Sequence, residues 1–375
     1  MDRTAFTDTG RIRRLIAQSG LDGVIATAPE NVTHTSGYYN LDQRLLPHHL
    51  HACIWTAEGE PTLVIPTRER LLEVFVRDVR EHYASGDTDE QGLDFVADAL
   101  RERGLERGRV GVDLRHAVAL HVRGLEKRLP GLQIVDATDL FGRMRLVKTP
   151  AEIDLLRAAN RATEKAIMIA YAQARRGDTE KSVVDAMDYY TVKLGAEAVA
   201  FNIIASGERT IRGHHRGEEV PIREGDVVRV DYGGLFAGYY TDLVRMAIVG
   251  QPSDRQRGIY RACYAIQQQC LAALRPGVSA QEIFELAERA YREEKLPITR
   301  TMYGHSIGLA VHERPTICDG DDWVLEPGFV LCIENGYTDR EQQERYHLED
   351  TVVITADGYV LLSDYADTSE MYVID

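Results

Sequence analysis

The sequence is poor in the features that mark secreted, membrane-spanning or disulfide-stapled proteins. Its cysteines are odd in number and include no Cys-x-x-Cys pair, which disfavours a disulfide framework and a zinc ribbon; they are Cys53, Cys263, Cys270, Cys318 and Cys332. The longest apolar runs, such as 166–172, are far shorter than a membrane span. The first residues, MDRTAFTDTGRIRRL, lack the apolar segment of a signal peptide. We therefore expect a cytoplasmic protein with reduced thiols.

Basic residues are also in deficit. Lysine and arginine number 44 against 59 aspartates and glutamates, which gives a formal net charge of -15. This balance disfavours nucleic acid or an anionic membrane as the main partner, because both require clustered basic side chains. The length of 375 residues and the apolar fraction of 44% are typical of a two-domain globular protein.

The first 145 residues alternate between helical and strand-like patterns. Helices are predicted at 11–18 and 92–103, and strands at 22–26, 52–55, 62–65 and 110–112. We therefore predict a small α/β domain over residues 1–145 and a second domain over residues 146–375.

The second domain is predicted to begin with paired helices. Thr149-Pro-Ala-Glu152 has the form of a capping box with proline at the first helical position, and Gly177 marks the end of this helix. A second helix is predicted at 180–193, and a further pair begins after Ser253 and Ser279. Because strands follow each pair, the order suggests an internal structural duplication.

The strand-like segments of this domain are predicted at 227–232, 239–249, 330–333, 348–354 and 359–362. A glycine-rich stretch from Gly233 to Gly238 separates the first two, which predicts a hairpin with its turn over these residues. The sequence therefore favours an α+β domain with an antiparallel sheet.

Four acidic residues and one histidine stand beside apolar, strand-like or glycine-rich segments, where a charged side chain is unexpected. Asp231 ends an apolar strand, Asp242 follows the predicted turn, Glu334 ends a second apolar run and Glu349 precedes a third. If the strands pair, Asp231 faces Asp242 and Glu334 faces Glu349, and such close carboxylates repel unless a cation lies between them. His305 lies in Gly-His-Ser-Ile-Gly, where the backbone can approach closely.

Carboxylates with an imidazole suit two divalent ions of intermediate hardness, such as Mn, Co or Zn. Two such ions can share a water and make it a nucleophile at neutral pH. The competing interpretation of each acid alone is a solvated or capping residue at a strand end.

At these residues the chain resembles the pita-bread metallohydrolases of peptidase family M24, which include Xaa-Pro dipeptidase, aminopeptidase P, methionine aminopeptidase and creatinase. The resemblance covers the whole chain, and the matching segments are VDYGGLFAGYYTDLVR, GHSIGLAVHERP, LEPGFVLCIENGY and HLEDTVVIT. It implies a creatinase-like α/β N-terminal domain and an α+β C-terminal pita-bread domain with a curved antiparallel sheet. It also implies a homodimer.

The resemblance assigns roles to seven residues. The metal ligands would be Asp231, Asp242, His305, Glu334 and Glu349, which would hold two divalent ions. Glu334 would also be the general base for the bridging water. His312 would bind the substrate or stabilise the tetrahedral intermediate, and His214, with His215 as the competing choice, matches the histidine before the first strand. Neutral histidines can donate to a developing oxyanion.

The sequence departs from the family pattern near the last ligand. His347 stands where many exopeptidases of the family carry arginine, and Glu334 is followed by Asn335-Gly336 instead of Pro-Gly. Arginine is always charged and forks onto carboxylates, whereas histidine does neither reliably. From the complete ligand set and His312, the resemblance nevertheless implies an Xaa-Pro dipeptidase or aminopeptidase that cleaves a peptide bond with a metal-bridging hydroxide. The alternative is a creatinase-like or ectoine-hydrolase-like enzyme that hydrolyses a C–N bond in a small non-peptide substrate.

Three other interpretations are weaker. Gly304-His-Ser306-Ile-Gly308 fits a nucleophile elbow, with Asp339 and His347 in triad order, but Pro315 and the absence of helical periodicity argue against a following helix. His48, His49 and His51 would form a solvated loop, a loop reaching an active site or a separate metal site. A protein-binding module that has lost its metals would show eroded ligands, whereas all five are present.

Overall fold

The computed structural model describes residues 3–66, 74–83 and 89–375, except the side chain of Asp42. Contacts divide the chain into two compact units, Met1–Glu152 and Ile153–Asp375. The domain limits expected from the sequence, 1–145 and 146–375, stay a prediction. No helix among the described residues is both long and apolar enough to cross a membrane. All five cysteines are free thiols, and four of them are buried.

The first unit is an α/β domain. After a 3₁₀ helix at Arg3–Phe6, its helices are α1 (Thr9–Ser19), α2 (Pro29–Ser36), α3 (Asp42–Leu45), α4 (Glu90–Arg101), α5 (Ala119–Arg128) and α6 (Thr138–Leu146). Its strands are β1 (Gly23–Ala26), β2 (Ala52–Trp55), β3 (Thr62–Pro66), β4 (Asp78–His82), β5 (Arg109–Val112) and β6 (Gln133–Asp136). They form one sheet in the order β4-β3-β2-β1-β5-β6.

The alternation of side chains across this sheet explains why helices cover both faces. On one face, Ile54 and Val64 pack with Leu93 of α4 and Leu125 of α5. On the other face, Trp55 packs in a cluster with residues of α1 and α6. The six elements predicted from the sequence are present with ends shifted by at most two residues. The 3₁₀ helix, α2, α3, β4, α5, β6 and α6 were not predicted.

The second unit has helices and strands in two similar series. The first series is α7 (Pro150–Gln173), α8 (Glu180–Lys193), β7 (Ala198–Ser206), a 3₁₀ helix at Gly207–Ile211, β8 (Val227–Phe236), β9 (Tyr239–Tyr240) and β10 (Leu243–Val249). The second is α9 (Asp254–Ala273), α10 (Ala280–Glu293), β11 (Met302–Ser306), β12 (Glu313–Cys318), β13 (Val330–Asp339), β14 (Glu344–Ile354), β15 (Tyr359–Leu361) and β16 (Tyr372–Ile374).

The helix starts follow from local capping. The Thr149 amide donates to Glu152 Oε2 at 2.7 Å, and the Glu152 amide donates to Thr149 Oγ1 at 3.3 Å, which closes the predicted capping box. Ser253 with Gln256 and Ser279 with Glu282 form the same reciprocal pairs at α9 and α10. Each box satisfies amides that a helix N-terminus otherwise leaves without a partner.

The ten strands of this unit form one sheet whose main path is β12-β11-β13-β14-β10-β8-β7. Neighbours on this path pair antiparallel, and β16 adds a parallel pairing to β10. The predicted fold class, with an α/β first domain and an α+β second domain, is confirmed.

The β8–β10 hairpin differs from its prediction in the position of the turn. Strand β8 continues through Gly233 and Gly234 to Phe236, and Phe236 pairs with Tyr239. The turn is therefore only Ala237-Gly238, which both have positive φ as a primed two-residue turn requires. Gly233 is needed for another reason, because a Cβ there would lie 2.3 Å from the Thr241 carbonyl oxygen.

Candidate metal centre

The sheet register brings the four acidic residues together. Glu334 of β13 lies directly opposite Glu349 of β14, and Val244 of β10 pairs with both Glu349 and Asp231 of β8. Asp242 immediately precedes β10, next to Leu243, which pairs with Tyr232. We call Asp231, Asp242, Glu334 and Glu349 the carboxylate cluster. Glu334 and Glu349 thus face each other as expected from the sequence. Asp231 instead lies opposite Val244, two residues after Asp242, so these two acids are diagonal neighbours and not a facing pair.

His305 reaches the same point from β11. Its Nε2 lies 3.8 Å from Asp242 Oδ2 and 3.9 Å from Glu349 Oε1, and the residue is only 1% exposed. Gly304 permits this position, because a Cβ there would lie 2.3 Å from the Cys332 carbonyl oxygen across the β11–β13 pairing. The close backbone approach inferred from the flanking glycines is therefore present on the Gly304 side.

The donor atoms fit a cation site. Four overlapping groups have ligand atoms that lie within 4.8 Å of one another: Asp242, His305, His312; His305, Cys332, Glu349; Glu334, His347, Glu349; and Asp231, Asp242, Glu349. Asp242 Oδ1 and Glu349 Oε1 are buried without a hydrogen-bond partner among the described residues. Buried carboxylate oxygens ordinarily have partners, so these two are suited to metal ions.

Burial and mutual repulsion set the protonation of the cluster. Burial raises the pKa of Asp242 and of Glu349 well above their ordinary values, and the neighbouring carboxylates raise both further. Burial also raises the pKa of Asp231. The surroundings of Asp242 and Glu349 thus favour the neutral carboxylic acid unless a cation binds between them.

Glu334 is the exception in the carboxylate cluster. Burial alone would raise its pKa, but Arg300 and His347 together lower it below the ordinary value. The Arg300 guanidinium donates to Glu334 Oε2, and His347 Nε2 lies 2.8 Å from the same oxygen. Burial and Arg300 lower the pKa of His347 to about 3, so its ring is neutral at pH 7 and donates through Nε2. Glu334 is therefore the ionised acid of the cluster.

The other predicted histidines lie at different distances from this centre. The His312 ring stacks on the His305 ring with 3.9 Å between centroids and an interplanar angle of 25°. His214 is exposed and lies on the wall of the cavity above the cluster. His215 instead turns towards Glu218, with 3.7 Å between Nδ1 and Oε1. Of the two competing positions, the structure therefore brings His214 to the site.

A cavity of about 580 Å³ opens over the carboxylate cluster. His214, His305, His312 and His347 line it together with the four acids. Ala200, Phe201, Ile203, Met302 and Val311 supply an apolar part. The volume suits a ligand of dipeptide or small-molecule size.

Four arginines also line the cavity, and the sequence prediction missed all of them: Arg216, Arg229, Arg300 and Arg345. Strand alternation contained a signal for two. Arg229 precedes Asp231 by two residues on β8, and Arg345 precedes Glu349 by four on β14, so each shares a face with a cluster acid. Arg300 lies just before β11 in an irregular segment, and no periodicity marks it.

A second buried charge group holds the strands behind the cluster. Arg245 Nη2 lies 2.6 Å from Glu164 Oε1 of α7 and 3.1 Å from Asp350 Oδ1 of β14. Arg245 Nη1 donates to the Glu349 carbonyl oxygen at 2.7 Å. These contacts of the Glu164–Arg245–Asp350 triad fix the backbone that carries Glu349.

Two weaker predictions have structural outcomes. Ser306 ends a strand, is followed by bends and donates its hydroxyl to the Val330 carbonyl oxygen at 3.0 Å, so the nucleophile-elbow interpretation is wrong. Asp339 is engaged with Arg255, at 2.8 Å between Oδ2 and Nη1. The rings of His48 and His49 pack edge to face, and burial lowers the pKa of His51 to about 4. Whether that loop serves an active site stays a prediction.

Comparison with known protein families gives two matches that together cover most of the chain. The model of metallopeptidase family M24 matches residues 154–356. The model of the creatinase/prolidase N-terminal domain matches residues 9–147. The resemblance inferred from the sequence is confirmed.

Individual relatives agree with the family models. The chain is 34% identical over 223 residues to an Xaa-Pro dipeptidase of Pyrococcus furiosus. The aligned region covers 59% of this chain and 64% of that protein. It is 36% identical over 251 residues to a probable dipeptidase, PepE, of Mycobacterium tuberculosis, which covers 66% of each. The crystal structure of dipeptidase PepE from Mycobacterium ulcerans superposes with a TM-score of 0.82 at 30% identity, over 97% of this chain and 96% of that one.

Proposed function

The chain belongs to metallopeptidase family M24, and on that premise we propose that it is a dinuclear metal-dependent Xaa-Pro dipeptidase or Xaa-Pro aminopeptidase. One observation carries the proposal. Five residues line one cavity, four from strands β8, β11, β13 and β14 and one from the position just before β10: Asp231, His305, Glu334, Glu349 and Asp242. Two of their buried carboxylate oxygens have no hydrogen-bond partner among the described residues. Dipeptidase relatives of this chain support the choice of substrate.

The five ligand residues would hold the ions, and the donor set suits two divalent ions of Mn, Co or Zn. The four negative charges of the ionised carboxylates balance the four positive charges of two divalent ions, which supports a site for two ions. Ions held there would supply Lewis acidity and an activated water. Membership of the family supports the need for divalent metal.

Glu334 is proposed as the general base. Its carboxylate is kept ionised by Arg300 and His347, so an Oε atom is free of a proton and ready to accept one from the attacking water. The same oxygen would then pass that proton to the departing proline nitrogen. His347 donates to Oε2 and so orients the carboxylate in one rotamer.

His312 and His214 are proposed to contact the substrate. The His312 ring stacks on the ring of His305, which is a proposed metal ligand, and it also lines the cavity. From there an imidazole N–H of His312 would donate to the oxygen that gains negative charge. His214, exposed at the wall, would bind the remote end of the peptide.

Three further properties are proposed on weaker support. A homodimer is expected from the resemblance to Xaa-Pro dipeptidases. A cytoplasmic location agrees with the five free thiols. For the domain limits we retain residues 1–145 and 146–375.

A creatinase-like or ectoine-hydrolase-like activity was suggested by His347. The structure weakens this argument, because Arg300 places a guanidinium on Glu334 although position 347 is a histidine. Hydrolysis of a non-peptide C–N bond is therefore the second candidate.

The test is an assay of protein loaded separately with Mn²⁺, Co²⁺ and Zn²⁺ on Ala-Pro, Leu-Pro and the control Pro-Ala. We expect release of proline from the first two and none from the third. No turnover of any Xaa-Pro peptide with any of the three metals would exclude the peptidase, and the second candidate would then be assayed.

A further inference from the structure

The cavity lining contains as many arginines as acidic side chains. Among the described residues that line it, the acidic side chains are those of the carboxylate cluster, yet four guanidinium groups face the same space. The chain as a whole has a net charge of -15, so this accumulation runs against its overall composition. A local charge of opposite sign in a concave site is a feature of ligand recognition.

Two of these arginines hold cluster acids and are only partly satisfied. Arg229 is 1% exposed, and its Nη1 lies 3.7 Å from Asp231 Oδ2. Arg300 donates through Nη2 to Glu334 and through Nε to the Met302 carbonyl oxygen. Arg229 Nε and Arg300 Nη1 are buried with no hydrogen-bond partner among the described residues. These donors have capacity left for an anion.

Arg345 differs from both. It is half-buried on the cavity wall, and its guanidinium makes no hydrogen bond or ion pair with any described residue; only its backbone amide is engaged, by Thr210 Oγ1 at 2.9 Å. Arg216 at the exposed rim also has no ion pair among the described residues. Asp231 and Glu334 act on Arg345 only through space, without a hydrogen bond. The Arg345 guanidinium therefore has its donors left for a carboxylate that a ligand supplies.

The charge balance indicates how much negative charge a ligand should bring. If the four carboxylates balance two divalent ions, the four guanidinium charges remain uncompensated. A neutral Xaa-Pro dipeptide has one carboxylate and one ammonium group, so it brings no net charge. A dipeptide with an acidic first residue brings a second carboxylate, which an arginine fork can bind with two parallel hydrogen bonds.

We propose that Arg345, supported by Arg216 at the rim, binds a side-chain carboxylate of the substrate, and that the enzyme prefers Xaa-Pro dipeptides whose first residue is acidic. This inference rests on the proposed peptidase function. It leaves Arg300 and Arg229 to the cluster acids and to the terminal carboxylate of the peptide. Arg345 is thus a specificity-determining residue.

The test compares isosteric substrates on the metal-loaded enzyme. We expect kcat/KM for Glu-Pro to exceed that for Gln-Pro by about tenfold or more, because glutamine cannot give the guanidinium fork a charged, two-oxygen acceptor. In Arg345→Gln the ratio should fall to about one, and in Arg345→Lys to an intermediate value. The matched control is Arg340→Gln, since Arg340 is exposed and lies outside the cavity lining; its ratio should equal that of the wild type.

A second measurement separates binding from catalysis. Ketomethylene isosteres of Glu-Pro and Gln-Pro, which cannot be hydrolysed at the replaced bond, are titrated into the same proteins by calorimetry, and thermal unfolding of each variant checks its fold. Tighter binding of the Glu isostere, lost in Arg345→Gln, is expected.

The outcomes are distinguishable. Turnover of both dipeptides at equal kcat/KM would overturn the acidic preference and leave the peptidase function intact. An unchanged ratio in Arg345→Gln would overturn the role of this residue. If no Xaa-Pro peptide is turned over, the proposed function fails, and equal binding of the two isosteres would then overturn the anion subsite as well.

Discussion

Two buried charge groups lie back to back on β14, and they are built in opposite ways. Asp350 belongs to the triad with Arg245 and Glu164, in which the arginine has acid partners at 3.1 and 2.6 Å. Glu349, the preceding residue, points to the other face of the sheet and belongs to the carboxylate cluster, where its Oε1 has no hydrogen-bond partner among the described residues. Both acids are nearly inaccessible to solvent.

The difference teaches how to tell a structural charge from a functional one. The acids of the triad have hydrogen-bond donors besides Arg245. Asp350 accepts from the Ser363 hydroxyl at 3.0 Å, and Glu164 accepts from the Tyr365 amide at 2.7 Å. The carboxylate cluster, by contrast, has two buried oxygens, Asp242 Oδ1 and Glu349 Oε1, without a hydrogen-bond partner among the described residues. We therefore expect the cluster to add to the free energy of unfolding only when a cation is bound. The ion pairs of the triad are present with or without metal.

The largest expected effect comes from removal of one cluster acid. In Asp242→Ala we expect loss of metal binding and a fall of kcat/KM by at least about 10³-fold, because the metal supplies several kcal/mol of transition-state stabilisation. Metal content is measured by mass spectrometry after gel filtration, and activity on Ala-Pro. Retention of two metal ions per chain in Asp242→Ala would refute the ligand assignment.

The next effect tests the triad. Arg245→Met should lower the free energy of unfolding of the metal-free protein by about 3–5 kcal/mol, because it leaves Glu164 and Asp350 buried without their cation. Urea unfolding measures it. The combined Glu164→Gln, Arg245→Met, Asp350→Asn variant is the control and should recover most of the loss, since it removes the uncompensated charges. A loss below about 1 kcal/mol in the single variant would contradict a structural role.

The pH dependence of stability separates the two groups further. The pKa of Asp242 in the folded state is raised, so the metal-free folded protein binds more protons than the unfolded chain as pH rises above about 4. Stability relative to Asp242→Asn should therefore fall with increasing pH, by up to about 1.4 kcal/mol per pH unit. The pKa of His305, which burial lowers to about 4, changes stability in the opposite direction below pH 6.5. Because His305 lies beside Asp242, the comparison of the two proteins is clearest above that pH.

Thermal unfolding of both metal-free proteins between pH 5 and 8 measures this difference, and saturating Mn²⁺ should reverse it in the wild type. A difference that does not change with pH would mean that Asp242 is ionised in the folded protein without metal.

The smallest effect concerns the departure at position 347. His347→Arg should lower kcat/KM on Ala-Pro by about tenfold, because a second buried guanidinium next to Arg300 introduces like-charge repulsion worth roughly 1–2 kcal/mol. The double variant Arg300→Gln, His347→Arg should recover part of the activity. A strong increase of kcat/KM on Ala-Pro in His347→Arg would contradict this expectation. It would show that peptide cleavage needs an arginine at position 347, and it would favour the non-peptide alternative.

Sequence patterns predicted the helices of the second unit, but not its strands β7, β11, β12 and β16, for a physical reason. Capping boxes at α7, α9 and α10 and long amphipathic helices are local signals. Helix α2, by contrast, has no apolar stripe: Thr35 Oγ1 and Ser36 Oγ donate to backbone oxygens within the helix, and Asn31 Nδ2 donates to Asp113 Oδ2 at 2.6 Å. Its stability comes from tertiary contacts that hydrophobic periodicity does not record.

The site shows the same division. Glu334 and Glu349 stand at the ends of apolar runs, where a charge is conspicuous, so they could be predicted together with their pairing. The position of Arg300 depends on how an irregular segment folds onto the sheet, which no local pattern encodes. The contact of His347 with Glu334 instead follows from the β13–β14 register, because Glu334 lies opposite Glu349, two residues after His347. The metal-ligand prediction therefore came largely from the strands, whereas the substrate-facing charges required the tertiary structure.

The direct pairing of Glu334 with Glu349 has a consequence for how this chain tolerates changes in length. Within the β13–β14 ladder, insertion of one residue between Asn335 and Asp339 would preserve the fold of the hairpin only by shifting later partners by one position and reversing their faces. The loop at 340–343 lies beyond the last pair, Asp339 with Glu344, and can lengthen without moving either acid. Variation in length among functional versions of this hairpin should therefore be confined to four residues at its tip.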